Sequence, residues 1–144
     1  MRNHRLLALA LAAALTLSAT ACGSSDSKAI SKADFTKQAD AICKKGDAEI
    51  DKLSDGVDGT DQKALEAFYV KAATASLEQI SKVRDLGFPK GDEDRLDKDL
   101  SASEAAFEKV KADPSKTEEL AADKDIKAAS EDLKKYGLKE CGQG

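Results

Sequence analysis

Three cysteines, Cys22, Cys43 and Cys141, carry the clearest chemistry in this chain of 144 residues. An odd thiol in an exported protein has to be accounted for separately. Cys43 and Cys141 stand far apart in sequence, unlike the Cys-X-X-Cys of a redox pair. Zinc wants four ligands, and this pair is accompanied by no histidine once the N-terminal segment is removed. A structural disulfide joining Cys43 and Cys141 is therefore expected. Such a closure of a loop of about 100 residues contributes about 4.7 kcal/mol by chain entropy. The single histidine, His4, lies near the N-terminus. Its removal excludes Ser-His-Asp and Cys-His catalysis within the mature monomer, and a di-iron site built on Glu-x-x-His. No Gly-x-x-x-x-Gly-Lys or Gly-x-Gly-x-x-Gly stretch is present to cradle phosphate.

Cys22 belongs to a different context. Met1–Arg5 is basic, Leu6–Leu17 is almost wholly Leu and Ala, and small residues follow: this is the pattern of a secretory signal over 1–21. The apolar run is shorter than the roughly 20 residues that cross a bilayer. Ala19-Thr20-Ala21 suits ordinary signal peptidase, but Ala19–Cys22 also resembles a lipobox, in which the cysteine thiol takes a diacylglyceryl group. Ala19 stands where such a box usually has Leu. Lipidation of Cys22 resolves the odd cysteine and leaves the other two as a pair for an oxidising compartment. Two acyl chains hold a protein stably where one holds it marginally. Charge does not help: removal of 1–21 leaves 21 basic residues (23 less Arg2 and Arg5) against 27 acidic, a net charge of −6. An acidic body is repelled by an anionic surface, so the lipid does the holding. The expected location is the outer face of the bacterial cytoplasmic membrane.

Carboxylates are the other abundant reactive group. Asp92, Glu93, Asp94, Asp97, Asp99, Glu118, Glu119 and Asp123 include pairs that would serve as acid and base if buried together. Arg95, Lys98, Lys116 and Lys124 are interspersed among them, as on a solvated helix face. Asp55–Asp61 has the look of a calcium loop, but Val57 and Gly59 occupy ligand positions, so a glycine-rich turn with Thr60 capping the next helix is expected. Lys28, Lys32, Lys37, Lys44, Lys45 and Lys52 alternate with Asp34, Asp40, Asp47 and Asp51; their default is a solvated surface, with docking of an acidic envelope polymer as the functional rival. Negative charge without a basic stripe excludes a nucleic-acid partner.

The elements that must position these groups are helices. Residues 22–30 combine the acceptor cysteine with a Gly-Ser-rich linker reaching on the order of 15 Å. The rest, 31–144, is one domain's length of Ala, Lys, Asp, Glu and Leu with two prolines, six aromatics and no tryptophan. Ser31 with Asp34 predicts a capped start, Ile30 and Phe35 a hydrophobic staple. Phe35, Ala39, Ile42, Gly46, Ile50 and Leu53 recur at helical spacing. The patterns predict helices over 31–54, 61–86, 92–112 and 114–136. Leu96, Leu100, Ser103, Phe107 and Val110 make the clearest seam, and Gly137 with Leu138 predicts a Schellman stop. The expected architecture is all-α, a single small antiparallel four-helix bundle with a thin, alanine-lined core, to which a disulfide is useful.

Three segments resemble a loosely defined group of small exported lipoproteins from high-GC Gram-positive bacteria, which place a cysteine in each terminal segment. They are Phe35–Cys43, Phe88–Glu93 and Tyr136–Cys141. The resemblance implies export and the disulfide, and no substrate. The expected function is a non-enzymatic envelope module binding a protein, polymer or small ligand, without a cofactor or metal. An enzyme with an unrecognised carboxylate site is the alternative. A deep pocket with converging acids favours the enzyme; a large exposed apolar patch favours binding.

Overall fold

The computed structural model describes residues 29–143, which are all-helical, with no strand among them. The expected signal segment 1–21, the Cys22 thiol and all but the end of the linker lie outside the described residues.

The first helix, α1, spans Lys32–Ser54. The Asp34 amide donates to Ser31 Oγ at 3.1 Å, and the Ser31 hydroxyl donates to the Asp34 carboxylate at 2.7 Å. Aspartate is a methylene shorter than the glutamate usual at this place, and it meets the cap's hydroxyl instead of its backbone amide. Ile30 packs onto the cluster that contains Phe35, as the staple requires.

Helix α2 spans Gln62–Asp85. Asp61, rather than Thr60, caps it, accepting from the amides of Lys63 at 2.9 Å and Ala64 at 3.2 Å. Thr60 is engaged elsewhere: its amide and hydroxyl both donate to Asp58, at 2.8 and 2.7 Å. The stretch 55–61 is thus a turn closed on its own side chains. Past α2, Gly87 takes φ +70°, a left-handed conformation open to glycine, and Phe88-Pro89 prevents the helix from resuming.

Helix α3 spans Glu93–Ala112, and the expected single helix over 114–136 is broken. It consists of a 3-10 turn at Pro114–Lys116, α4 at Thr117–Ala121 and α5 at Lys124–Tyr136. The break has a local cause. The Asp123 carboxylate accepts from the amides of Asp125 at 2.7 Å and Ile126 at 3.4 Å, starting a new helix. Ala122 ends the old one with its amide shared between the Glu118 and Glu119 carbonyls. Aspartate favours a cap over a helix interior, and two turns of apolar periodicity do not override that preference.

Helix α5 ends as expected. Gly137 has φ +119°, its amide donates to the Lys134 carbonyl at 3.1 Å, and the Leu138 amide donates to the Leu133 carbonyl at 2.9 Å. This Schellman geometry buries Leu138 completely beside Leu133. Helix α2 packs against α1 and α3, α3 also packs against α5, and the tail lies on α5 and α1. Buried residues form two clusters. The larger gathers Phe35, Ala39, Cys43, Ile80, Val83, Leu96, Leu100, Leu133, Tyr136 and Leu138. The smaller gathers Ala73, Val110 and Leu120, with Tyr69, Phe107 and Ile126 against it.

Candidate functional site

The tail 138–143 is held against α1 in two ways. The sulfurs of Cys43 and Cys141 lie at bonding distance, 2.09 Å, with Cα atoms 5.1 Å apart. One turn before Cys43, Asp40 turns its carboxylate to the tail's backbone: the amides of Lys139, Glu140 and Cys141 donate to it at 3.1, 3.0 and 3.5 Å. Charge-assisted bonds to several amides are stronger than neutral ones. From the sequence Asp40 reads only as a solvated carboxylate, because its partners are backbone groups about a hundred positions away.

Clamping the tail completes one wall of a cavity of about 520 Å³. It opens between the two core clusters. Ile80, Val83, Leu100 and Leu133 line it from the larger cluster, and Ala73, Val110 and Leu120 from the smaller. Its cause is side-chain size. The lining includes Ala72, Ser76, Ser103, Ala106 and Ser130, each at a position where a leucine would fill space. Ser103 sits in the very seam that marks α3 in the sequence.

Two acids stand together at one end of the cavity. Asp47 on α1 and Glu140 in the tail both line it, and each neighbours a cystine position: Asp47 is one turn after Cys43, and Glu140 precedes Cys141. Partial burial of the Asp47 carboxyl, with Glu140 and then Asp51 beside it, pushes its pKa above the ordinary carboxylate value. Among the described residues, no lysine or arginine forms an ion pair with any of these three acids. Gln79 completes this end. Its side chain is 9 % exposed, it lines the cavity, and its Nε2 is buried without a hydrogen-bond partner. It crosses to α1 where Gly46 leaves room: a Cβ at Gly46 would stand 2.0 Å from the Gln79 amide.

The carboxylates singled out from the sequence lie elsewhere. Asp92 accepts the Tyr136 hydroxyl at 2.7 Å, and burial together with that contact holds the phenol well above its ordinary pKa. Asp97 pairs with Arg84 at 3.2 Å, and Glu93 accepts from the Gly91 amide. Arg84 also reaches Glu104 and Ser101, tying α2 to α3. Asp94 and Glu118 are exposed, Glu119 pairs with Lys116 at 3.6 Å, and Asp123 is a helix cap. Asp99 is buried, with one carboxylate oxygen unpartnered, and its burial followed by the nearby Asp132 raises its pKa. None of these lines the cavity. On the basic side of α1, Lys32 stands 4.0 Å above the Tyr136 ring and Lys45 faces Glu49 at 4.0 Å.

Among the described residues no helix is long and apolar enough to cross a membrane, and no three His, Cys, Asp or Glu side chains gather as metal ligands. No protein-family profile matches the chain, and neither a curated protein nor a solved structure matches it.

Proposed function

We propose that this chain is an exported lipoprotein, held at the outer face of a bacterial cytoplasmic membrane by lipid on Cys22, whose helical domain is a non-enzymatic binding module for a small apolar ligand. The observation that carries the binding reading is the cavity. At about 520 Å³ it falls within the roughly 300–1,000 Å³ typical of ligand sites, and its walls are mainly apolar with a few polar groups among them. The anchor is supported by the signal pattern over 1–21 and by Cys22 being the cysteine left over from the disulfide-distance pair. That pair suits an oxidising compartment outside the cytoplasm. In this reading α4 and α5 together act as the broken fourth arm of an antiparallel bundle, and the chain keeps company with the small exported lipoproteins its terminal segments resemble.

Binding is tested with the full chain carrying Cys22→Ser, titrated with the uncharged fluorescent probe N-phenylnaphthylamine. Saturable one-to-one enhancement is expected, and Ser76→Phe or Ser103→Phe should abolish it while the helical circular dichroism is retained. Identical enhancement by the filled variants would refute the site. The enzyme alternative draws on Asp47 and Glu140, since two neighbouring carboxylates are a frequent acid–base arrangement. The cavity lining, however, contains no histidine, lysine or arginine to complete a reactive constellation. Binding without turnover is the better account.

A further inference from the structure

We propose that the apolar ligand of this cavity carries one uncharged hydroxyl group, as a long-chain alcohol does, and that Gln79 and Ser76 on α2 recognise it. The proposal rests on the cavity being a ligand site and adds the chemistry of the ligand's polar atom.

Gln79 supplies the donor. Its side chain is more than nine-tenths buried and lines the cavity, and its Nε2 has no hydrogen-bond partner. A buried donor left without a partner costs free energy that an acceptor oxygen recovers. An ammonium group has no acceptor to offer it. Nε2 stands against Gly46, whose missing side chain leaves the amide its space, and Gln79 also borders a second hollow of about 160 Å³ lined by α1 and α2. With room on that side and no hydrogen bond holding Nε2, the terminal amide turns about its last bond and directs an N–H into the main cavity.

Ser76 supplies the acceptor. It lies three residues before Gln79 on the same face of α2 and lines the same cavity. Its hydroxyl proton is committed to the Ala72 carbonyl at 3.0 Å, so toward a ligand its oxygen accepts. A donor beside an acceptor is the complement of a hydroxyl group, which offers one of each. An ether or ester oxygen answers Gln79 alone. A carboxylate also answers Gln79, but the walls around it hold Asp47 and Glu140 and no lysine, arginine or histidine, so its charge is buried without a counter-ion.

The test displaces N-phenylnaphthylamine from the full chain carrying Cys22→Ser with dodecanol, dodecyl methyl ether, dodecanoate and dodecylamine. The four share a chain and differ in the polar end, the last two being charged at pH 7. Dodecanol is expected to compete at concentrations on the order of fivefold below the ether, the worth of one hydrogen bond, with both charged molecules weaker than either. Gln79→Leu, which keeps the bulk and removes the amide, should weaken alcohol and ether alike. Ser76→Ala should leave the ether unchanged and bring the alcohol down to it, and it provides the comparison if Gln79→Leu folds poorly. Equal competition by alcohol and ether in the parent, an alcohol advantage that survives Ser76→Ala, alcohol and ether unweakened in a folded Gln79→Leu, or the amine competing best would overturn the hydroxyl proposal and leave the apolar site standing. Failure of the probe itself to bind would instead overturn the site.

Discussion

Asp99 is placed against its own chemistry. It is 5 % exposed on α3, one carboxylate oxygen has no partner, and burial and Asp132 raise its pKa while Arg95 and Lys98 act the other way. With a folded-state pKa above the unfolded value, the folded chain binds more protons between the two. The stability associated with Asp99 is then fully present below the ordinary carboxylate range and is lost as pH rises through the raised value. Asp99→Asn should consequently raise stability at pH 7 by on the order of 1 kcal/mol, with a smaller gain in acid. Thermal melts of both proteins across pH 3–7 check the sign; a variant less stable at pH 7 would show that the carboxylate is satisfied in solution. Asp58, by contrast, has its pKa lowered by the Thr60 hydroxyl and then the Thr60 amide, so its linkage runs in the opposite sense. Comparing variant with parent at each pH isolates Asp99 from such groups.

At the scale of elements, Gly46 and Asp40 show how α1 is shaped by partners distant in sequence. Alanine at position 46 would collide with the Gln79 side chain, whereas a helix interior otherwise prefers alanine by about 1 kcal/mol. Gly46→Ala alone should therefore destabilise the fold or shift Gln79, and Gly46→Ala with Gln79→Ala should recover the propensity gain. Urea denaturation of the double-mutant cycle reads this coupling directly. Asp40→Ala should cost about 1–3 kcal/mol by freeing three tail amides, and hydrogen exchange at Lys139–Cys141 should accelerate.

The same scale explains what could be read from the sequence. The starts of α1 and α2, the glycine reversals and the Schellman stop were legible to within a residue or two, because caps and turns are local chemistry. The break at Ala122 was hidden by an apolar spacing from Ala122 to Tyr136 that continues through Asp123. The cavity was hidden because Ser76 and Ser103 keep the helical period while withholding volume; the periodicity reports which face turns inward and says nothing of whether that face fills the space. The cystine pair was legible by counting, but Asp47 and Glu140 were not, since only the tail's return along α1 brings them together.

For the whole molecule, the weak point and the site coincide. The buried core is divided into two clusters with a cavity between them, and the tail that walls the cavity is held by Asp40 and a cystine whose residues are 98 apart in sequence. Cys141→Ser should lower stability by up to about 4.7 kcal/mol and also weaken probe binding, because it frees a wall of the site. A Cys141→Ser protein with unchanged melting temperature and unchanged probe affinity would show that the tail contributes neither. The proposed anchor is independent of this: Cys22→Ala should release the protein from membranes without altering its melting temperature. The central proposal, a lipid-tethered domain that carries a small apolar ligand, is tested most directly by native mass spectrometry of the full chain gently extracted from its own membrane. The account predicts a diacylglyceryl mass on the peptide that begins at Cys22 and one non-covalent small molecule per chain, lost in Ser76→Phe. An unmodified Cys22, or wild-type and filled proteins carrying the same adducts, would contradict it.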